Sequence, residues 1–457
     1  MDKRTERKNM IFFGLGTIGR DMFFTMVSMY LLVFVTEVLT VTDEMLALIT
    51  AVLLILRIFD AVNDPVMGVL VDNTRGKLGK FKPGIIIGGV TGAVTMLMMF
   101  TDLGLKGVPY VVVFGLSYLL WDLFYGLNDI AYWSMLPALT TDQKQREKIG
   151  SFARICANIG LFSCVVGIIP LTNALGDAVG SLKLGWMIFA IAIIVLMLSF
   201  QLFTVFGVKE PKGYFKEEDK TSLREMFGII FKNDQLLWVA ISMSLFMIGY
   251  TTTANFGVHY FKYAYGNEDM YSIFALVLGL SQLTALAVFP LFSKKFNRKS
   301  LYTLGTVLVV IGYLCFFFLP MKMTFIAIAG VLLFVGQAFI QILMLMFLTD
   351  TIEYGQLKLG KRNESVTLSV QPFINKIGAA IANGILGLTL IVSGINSAKV
   401  AGDVTPEGIL KLKISMMIIP LAAIILGYII YLWKFKIDEK EYESILVKLK
   451  ERGDIQS

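Results

Sequence analysis

The 457-residue chain is 56% hydrophobic and only 16% charged, and its mean hydropathy is +0.72. These values exclude an ordinary soluble globular protein and indicate an integral membrane protein. The formal net charge of +7 does not indicate nucleic-acid binding, because the basic residues are spread over short segments next to apolar runs.

Apolar runs of spanning length recur along the whole chain. A helix needs roughly 20 mainly apolar residues to cross about 30 Å of hydrocarbon, and only helices pair every backbone group within one such segment. Six predicted spans occupy residues 10–38, 43–72, 83–103, 109–137, 149–175 and 182–208. Six more occupy residues 235–262, 270–293, 299–319, 322–351, 364–394 and 408–434. The first run is too long for a signal-peptide core, so it is predicted to be a retained helix.

The predicted fold class is therefore an all-α membrane protein with twelve transmembrane helices. Two six-helix bundles, 1–207 and 235–434, flank a charged central loop at 208–234, and a tail follows at 435–457. Of the 41 lysines and arginines, 30 lie in one alternating set of loops and termini, and about seven lie in the other set. The positive-inside rule then predicts that both termini and the central loop are cytoplasmic.

The sequence carries no sign of catalysis or of a bound cofactor. Cys156, Cys164 and Cys315 lie within predicted spans without metal or redox spacing, and we interpret them as buried small apolar residues. A nucleophile elbow, a zinc spacing and a phosphate-binding glycine loop are all missing from the sequence. We predict that the chain is not an enzyme and holds no cofactor.

Ionisable residues at membrane depth are the unusual feature of the sequence. Each costs roughly 2.5–3.5 kcal/mol to insert unless it faces a partner or a wet cavity. The nine are Arg20, Asp21, Arg57, Asp60, Asp64, Asp122, Asp129, Arg154 and Lys376. Five acids and four bases leave one surplus carboxylate. Because like charges in a low dielectric raise each other's pKa, such a cluster retains a proton or recruits a cation.

Helical spacing sorts most of these residues onto two faces. One face of the second span carries Arg57, Asp60 and Asp64, at i, i+3 and i+7. One face of the fourth span carries Asp122, Tyr125, Asp129 and Trp133. Two such faces would supply hard oxygen ligands for a small cation or a proton. The alternative is that the acids form internal salt bridges that only lock helices together, with Arg57 as their counter-charge.

The same residues include groups that suit a sugar. Carbohydrates are bound by carboxylates and guanidinium groups that take pairs of hydroxyls, with an aromatic ring against the C–H face. Asp21, Asp129 and Arg154 are the candidates for the polar contacts, and Trp133 or Tyr125 for the aromatic plate. For both rings, ordinary packing against lipid or core is the alternative.

Four segments carry a resemblance to a known family: RIFDAVNDP (57–65), DNTRGKLGKFKPGIIIG (72–88), NDIAYWSMLPALT (128–140) and SVQPFINKIG (369–378). They are similar to signature segments of the glycoside–pentoside–hexuronide:cation symporters, the melibiose-permease group of the major facilitator superfamily. The similarity runs over nearly the whole chain. It implies the fold of that superfamily, with two pseudo-symmetric six-helix halves, and cation-coupled sugar symport by alternating access.

The resemblance also implies roles for individual residues. It implies cation binding by Asp60, Asn63, Asp64 and Asp129; with sodium as the cation, the carboxylate ligands are Asp60, Asp64 and Asp129. It implies substrate binding by Arg20, Asp21, Tyr125, Asp129, Trp133, Arg154, Gln371 and Lys376. Gly126 stands where melibiose permease has a threonine hydroxyl that helps to hold sodium, so Na⁺ and H⁺ both stay open as the coupling ion.

The expected partners are a sugar, the coupling cation and the lipid bilayer, without nucleic acid. The resemblance implies a monomer that spans the cytoplasmic (inner) cell membrane many times. A short amphipathic helix is predicted at 221–232 and a surface helix in the tail; either one could dock a regulator such as a phosphotransferase-system protein, or be plain solvated chain. Two other functions stay open: a major-facilitator carrier of a lysolipid or drug, and a membrane sensor without transport.

Overall fold

The computed structural model describes residues 3–39, 41–75, 78–209, 223–267, 270–395, 398 and 401–455. Within these ranges the chain forms long helices joined by short loops, and 11 of the helices are long and apolar enough to cross a membrane. The twelfth span is α2 (Asp43–Asp72), which has 30 residues and is therefore about 45 Å long. The prediction of an all-helical, twelve-span membrane protein is confirmed.

The helices follow one another in the predicted order. The first six spans are α1 (Lys3–Val33), α2 (Asp43–Asp72), α3 (Lys82–Met99), α4 (Val108–Leu139), α5 (Gln143–Val179) and α6 (Leu182–Leu202). A short helix, α7 (Leu223–Lys232), comes next. The later spans are α8 (Asp234–His259), α9 (Met270–Ser293), α10 (Arg298–Phe318), α11 (Met323–Leu359), α12 (Glu364–Val392) and the pair α13 (Pro406–Lys413) and α14 (Ile419–Lys434). The tail forms α15 (Glu439–Glu451).

Several helices extend beyond the apolar runs that predict them. The run 149–175 predicts the fifth span, whereas α5 begins at Gln143. Its polar first turn is capped by the Asp142 carboxylate, which accepts a hydrogen bond from the Gln145 backbone N–H at 2.9 Å. An apolar run marks only the part of a helix inside hydrocarbon, so hydropathy misses polar end turns.

Contacts divide the chain into two units. The first contains Met1–Met226 and Glu364–Ser369, and the second contains Phe227–Asn363 and Val370–Ser457. In the first unit, α1 packs against α5 and α6, and α4 packs against α2 and α3. In the second, α11 packs against α9 and α10, and α8 packs against α14. The predicted central loop stays a prediction, because most of it lies outside the described part of the chain.

The first turn of α12 is fixed within the first unit by the last residue of α2. The buried Asp72 carboxylate accepts hydrogen bonds from the backbone N–H groups of Ser365, at 3.1 Å, and Val366, at 3.0 Å. These are among the amide groups that a helix start leaves without an internal partner. Close approach is possible because residue 68 is glycine: a Cβ there would lie 2.8 Å from the Ser365 carbonyl oxygen. A carboxylate from α2 thus caps α12.

Lys80 links the same carboxylate to Glu364. The Lys80 ammonium lies 2.7 Å from Asp72 Oδ1 and also pairs with Glu364. Burial lowers the pKa of Lys80, but the charges of Asp72 and Glu364 outweigh burial and raise this pKa above its usual range. The pKa of Lys80 is therefore higher in the folded state than in the unfolded state, where it is about 10.4. The resulting stabilisation of the folded state is complete below the unfolded pKa and is lost only as the pH rises through the folded pKa. The Lys80 charge therefore persists at physiological pH.

We expect Asp72→Ala to lower the free energy of unfolding by about 2 to 3 kcal/mol, because two backbone amides lose their acceptor and Lys80 loses a buried counter-charge. Denaturation of the purified chain in detergent, followed by circular dichroism, measures this change. Asp142→Ala is the matched control, since it removes a more exposed carboxylate cap and should cost only about 1 kcal/mol. Equal losses in the two variants would contradict the capping role.

Candidate functional site

Arg20 lies in a charged cluster inside the first unit. Its side chain is only 3% exposed, and its Nη1 lies 2.9 Å from Asp129 Oδ1 of α4. Its Nη2 lies 3.8 Å from Oδ2 of the neighbouring Asp21. A buried guanidinium is costly without a counter-charge, and Asp129 supplies the nearer one. We call Arg20, Asp21, Asp129 and Arg154 the charged cluster.

Aromatic rings contact both arginines of the cluster. The Arg20 guanidinium carbon lies 4.6 Å from the centre of the Tyr132 ring and 5.5 Å from that of Trp133. The Arg154 guanidinium carbon, from α5, lies 4.4 Å from the same Trp133 ring. Cations are attracted to the negative face of an aromatic ring, most strongly to indole. Trp133 therefore helps to hold both cations in a buried position.

Close contacts of α4 with α1 and with the π-helical turn Phe203–Gly207 fix the Tyr132 ring. Its hydroxyl donates a hydrogen bond to the Phe13 carbonyl and lies 3.2 Å from the Thr204 hydroxyl. The Phe13 and Tyr132 rings lie 4.8 Å apart. A Cβ on Gly16 would come 2.0 Å from the Thr204 hydroxyl oxygen and 2.5 Å from that of Tyr132. The packing of Tyr132 beside Arg20 thus depends on glycine at position 16.

A second glycine brings α5 against α1. A Cβ on Gly160 would lie 2.1 Å from the carbonyl oxygen of Ile18, so only glycine permits this backbone contact. Ile18 and Arg20 are two residues apart on α1. The contact keeps Arg154 on the neighbouring helix near the ring that Arg20 also touches.

Three buried polar atoms of the charged cluster make no hydrogen bond to the described residues: Nε and Nη1 of Arg20 and Oδ2 of Asp21. Nη1 lies within ion-pair distance of Asp129, but without hydrogen-bond geometry. Buried donors and acceptors are nearly always satisfied, so these atoms are available to a bound polar molecule. The side chains of Asp21 and Asp129 are 23% and 25% exposed, so the cluster is not sealed from solvent. The cluster can therefore offer donors and acceptors to a ligand with several hydroxyl groups.

The buried Asp64 of α2 faces α4. The residue is only 2% exposed, and a Cβ placed on Gly126 would lie 3.7 Å from its Oδ1 atom. Gly126 and Asp129 are three residues apart, and so they lie on one face of α4. The preceding Asn63 is also buried, and its Nδ2 atom has no hydrogen-bond partner among the described residues. Asp64 thus places carboxylate oxygens against the helix that carries Asp129.

The structure brings together five of the predicted substrate residues: Arg20, Asp21, Asp129, Trp133 and Arg154. Tyr125 lies on α4 as well, and its ring stacks on those of Trp121, at 5.2 Å, and Phe24, at 5.1 Å. The described contacts therefore assign Tyr125 to an aromatic stack in the first unit.

Other predicted site residues stay predictions. Gln371 and Lys376 belong to the second unit, which is described by itself. Asp60 lies in α2, but its side chain, like that of Arg57, lies outside the described part of the chain. Among the side chains that are described, no group of three or more His, Cys, Asp or Glu gathers around a possible metal position. The proposed carboxylate set of Asp60, Asp64 and Asp129 is consequently untested.

Sequence reasoning missed Tyr132 and Phe13, which contact the charged cluster and its rings. Helical spacing in the sequence indicates both residues. Phe13 precedes Arg20 by seven residues, and Tyr132 follows Asp129 by three, so each shares a helix face with a charged residue of the site.

Twelve spans and a buried cluster of arginines, carboxylates and rings define a multi-spanning membrane transport protein. A family model described as MFS/sugar transport protein matches residues 12–439, and the chain belongs to this family. The resemblance to the glycoside–pentoside–hexuronide:cation symporters is thereby confirmed, and the chain is a transporter, not an enzyme.

Several curated proteins are similar over almost the whole chain. The raffinose carrier protein of Pediococcus pentosaceus is 32% identical over 454 residues, which are 96% of this chain and 71% of that protein. The lactose permease of Leuconostoc lactis is 32% identical over 462 residues, 98% of this chain and 72% of that protein. A putative sulfoquinovose importer of Escherichia coli is 26% identical and covers 97% of this chain and 94% of its own length.

Solved structures show the same fold at low sequence identity. A bacterial homologue of the iron transporter ferroportin in the outward-facing state has a TM-score of 0.70 at 14% identity, covering 96% of this chain and 100% of that one. A proton:xylose symporter of the major facilitator superfamily has a TM-score of 0.66 at 14% identity, with coverages of 97% and 100%. These similarities establish the major facilitator fold.

We expect Asp129→Asn to lower the free energy of unfolding by about 2 to 4 kcal/mol, because buried Arg20 loses its nearer counter-charge. The isosteric change Asp21→Asn should cost about 1 kcal/mol or less, since that carboxylate is farther from the guanidinium and partly exposed. Denaturant titration in detergent compares the two variants. A larger loss for Asp21→Asn would show that Asp129 is not the principal partner of Arg20.

Proposed function

We propose that the chain carries a sugar across the cytoplasmic membrane by symport with Na⁺ or H⁺. The observation that supports this proposal best is the charged cluster itself. Arg154 stacks on Trp133 at 4.4 Å, while Asp21 and Asp129 keep part of their carboxylates exposed. Two carboxylates and two guanidinium groups match the pairs of hydroxyls on a sugar ring.

Each residue of the charged cluster would have a different role in sugar binding. A guanidinium that lies against a ring keeps its N–H donors in the ring-parallel plane, so Arg154 can donate to sugar hydroxyls while Trp133 holds it. Asp21 and Asp129 would accept hydrogen bonds from other hydroxyls. Trp133 is only 7% exposed and already contacts two guanidinium groups, so we propose that it positions the arginines and that Tyr125 is the candidate aromatic plate.

The relatives support a glycoside as the substrate class. Two proteins that are each 32% identical to this chain are named a raffinose carrier and a lactose permease. A carrier of lysolipids or drugs would need an apolar site, whereas the charged cluster is polar. Each acid or base at membrane depth costs roughly several kcal/mol to insert. A membrane sensor without transport would have no function that requires this cost.

Coupling would arise from the acids on α2 and α4. The carboxylates of Asp21 and Asp129 belong to the charged cluster, and the Asp64 carboxylate faces α4 from α2. A bound cation or proton would neutralise part of this charge and change how tightly Asp129 is held by Arg20. By linkage, a sugar that binds more tightly with the cation present must tighten cation binding by the same factor.

The remaining parts of the proposal come from loop charge and family resemblance. The excess of basic residues in one set of loops supports cytoplasmic termini in a multi-pass inner-membrane protein. We propose that the transporter acts as a monomer and that Asp60 contributes to cation binding. The roles that the resemblance implies for Gln371 and Lys376 belong to the same proposal. A phosphotransferase-system protein is the candidate regulator at the central loop or tail.

Uptake into reconstituted vesicles tests the function. With an imposed sodium or proton gradient, we expect a glycoside from a panel of glycosides, pentosides and hexuronides to accumulate. Asp64→Asn should weaken cation binding at least about tenfold, the equivalent of roughly 1.4 kcal/mol, and abolish accumulation while sugar exchange continues. Asp102→Asn is the control, because Asp102 pairs with Lys183 at 2.8 Å in an exposed loop contact. The proposal fails if no sugar accumulates under either gradient, or if Asp64→Asn accumulates sugar like wild type.

Gly126→Thr tests the identity of the coupling ion. The new Cβ would lie 3.7 Å from Asp64 Oδ1 without a closer clash, so the threonine hydroxyl could add an oxygen ligand beside that carboxylate. We expect the variant to be stimulated by several-fold lower sodium concentrations than Gly126→Ala, which adds the same Cβ without the hydroxyl. Sodium-dependent uptake at constant pH measures the difference. Identical sodium dependence of the two variants would remove Asp64 and Gly126 from the cation site.

A further inference from the structure

A basic cavity lies at the start of α1 in the first unit. It is lined by Arg4, Thr5, Lys8, Asn9, Gly207 and Lys209, and its volume is about 280 Å³. Lys8 and Arg20 are twelve residues apart on α1, which separates them by about 18 Å along the helix axis. The basic cavity is therefore a different place from the charged cluster.

Specific contacts hold the two sides of the basic cavity together. The Asn9 side chain is buried; its Nδ2 donates to the Lys209 carbonyl at 3.1 Å, and its Oδ1 accepts from the Lys209 backbone N–H at 2.9 Å. A Cβ on Gly207 would lie 2.5 Å from Cγ of Phe12, so the chain after α6 meets α1 at a distance that only glycine permits. These contacts hold the backbone of Lys209 beside Asn9, the residue that follows Lys8.

The charges around the basic cavity have one sign. Arg4, Lys8 and Lys209 are exposed cations, and none of the six lining residues is an acid. Lys8 and Lys209 place like charges on the two sides of this small volume, and a bound anion would offset the repulsion between them. Arginine takes two oxygens of a phosphate at once, lysine acts as a point charge, and the Thr5 hydroxyl can donate a further hydrogen bond.

Apolar side chains beside the basic cavity indicate lipid contact. Phe203 and Phe206 are 44% and 79% exposed, and they lie in the π-helical turn Phe203–Gly207, which contains the cavity residue Gly207. Large exposed apolar residues at the end of a spanning helix face acyl chains, and basic pockets at that level attract anionic headgroups. We propose that the basic cavity binds the phosphate group of an anionic ligand, supplied either by a phospholipid headgroup or by free phosphate.

Ligand binding to the purified full-length chain tests this proposal. Thermal denaturation is followed while short-chain phosphatidylglycerol, short-chain phosphatidylcholine or inorganic phosphate is titrated in. We expect an anionic phosphate ligand to raise the melting temperature of wild type. Lys8→Gln with Lys209→Gln should weaken this binding roughly fivefold for each charge removed, or about 25-fold together. Lys8→Arg with Lys209→Arg keeps the charges and should retain binding.

The matched control is Arg7→Gln with Lys148→Gln, which removes two exposed positive charges of the same unit that do not line the basic cavity. Stabilisation by phosphatidylglycerol alone identifies a lipid headgroup as the source, and stabilisation by inorganic phosphate identifies the free anion. The proposal is overturned if neither ligand stabilises wild type, or if the control loses as much affinity as the cavity variant. The measurement uses no sugar, so its result is independent of the transport proposal.

Discussion

The ion pair between Arg20 of α1 and Asp129 of α4 is the interaction on which the site depends. A guanidinium inside hydrocarbon needs a negative partner, and Asp129 is 2.9 Å away while Asp21 is 3.8 Å away. A sugar or cation that binds Asp129 must therefore compete with Arg20. In the proposed mechanism, binding at this carboxylate would change the electrostatic state of α1 as well as α4 and would thereby couple the two ligands.

Close helix packing makes this pairing possible. Helices in lipid gain little from burying apolar surface against each other, so small residues and interhelical hydrogen bonds hold them together. Gly16 allows α1 to approach Tyr132 and the π-helical turn Phe203–Gly207, and Gly160 allows it to approach α5. On the other side of α4, Asn128 donates to the Ile85 carbonyl at 2.7 Å and accepts from Gln201 at 3.1 Å. The helix that carries Asp129 is thus anchored on both α3 and α6.

The sequence allowed the spans, their order and the charged residues of the site to be predicted, because hydropathy and helical spacing are local properties. Pairing between helices is not local. Spacing alone places Asp129 and Trp133 on one face of α4, but it cannot show that Arg20 and Arg154 from two other helices meet there. The same limit applies to the buried pair of Arg298 with Asp350. The two residues lie on different helices, α10 and α11, and spacing along either helix does not show that they pair.

Trp133 attracts two like charges. Two guanidinium groups in a low dielectric repel each other strongly, yet both approach this one indole, at 5.5 Å and 4.4 Å. The attraction of each arginine to the electron-rich ring offsets part of that repulsion. In the proposed site, the residue at position 133 would therefore set the spacing of the hydrogen-bond donors, and with it the size and shape of the polar molecule that they bind.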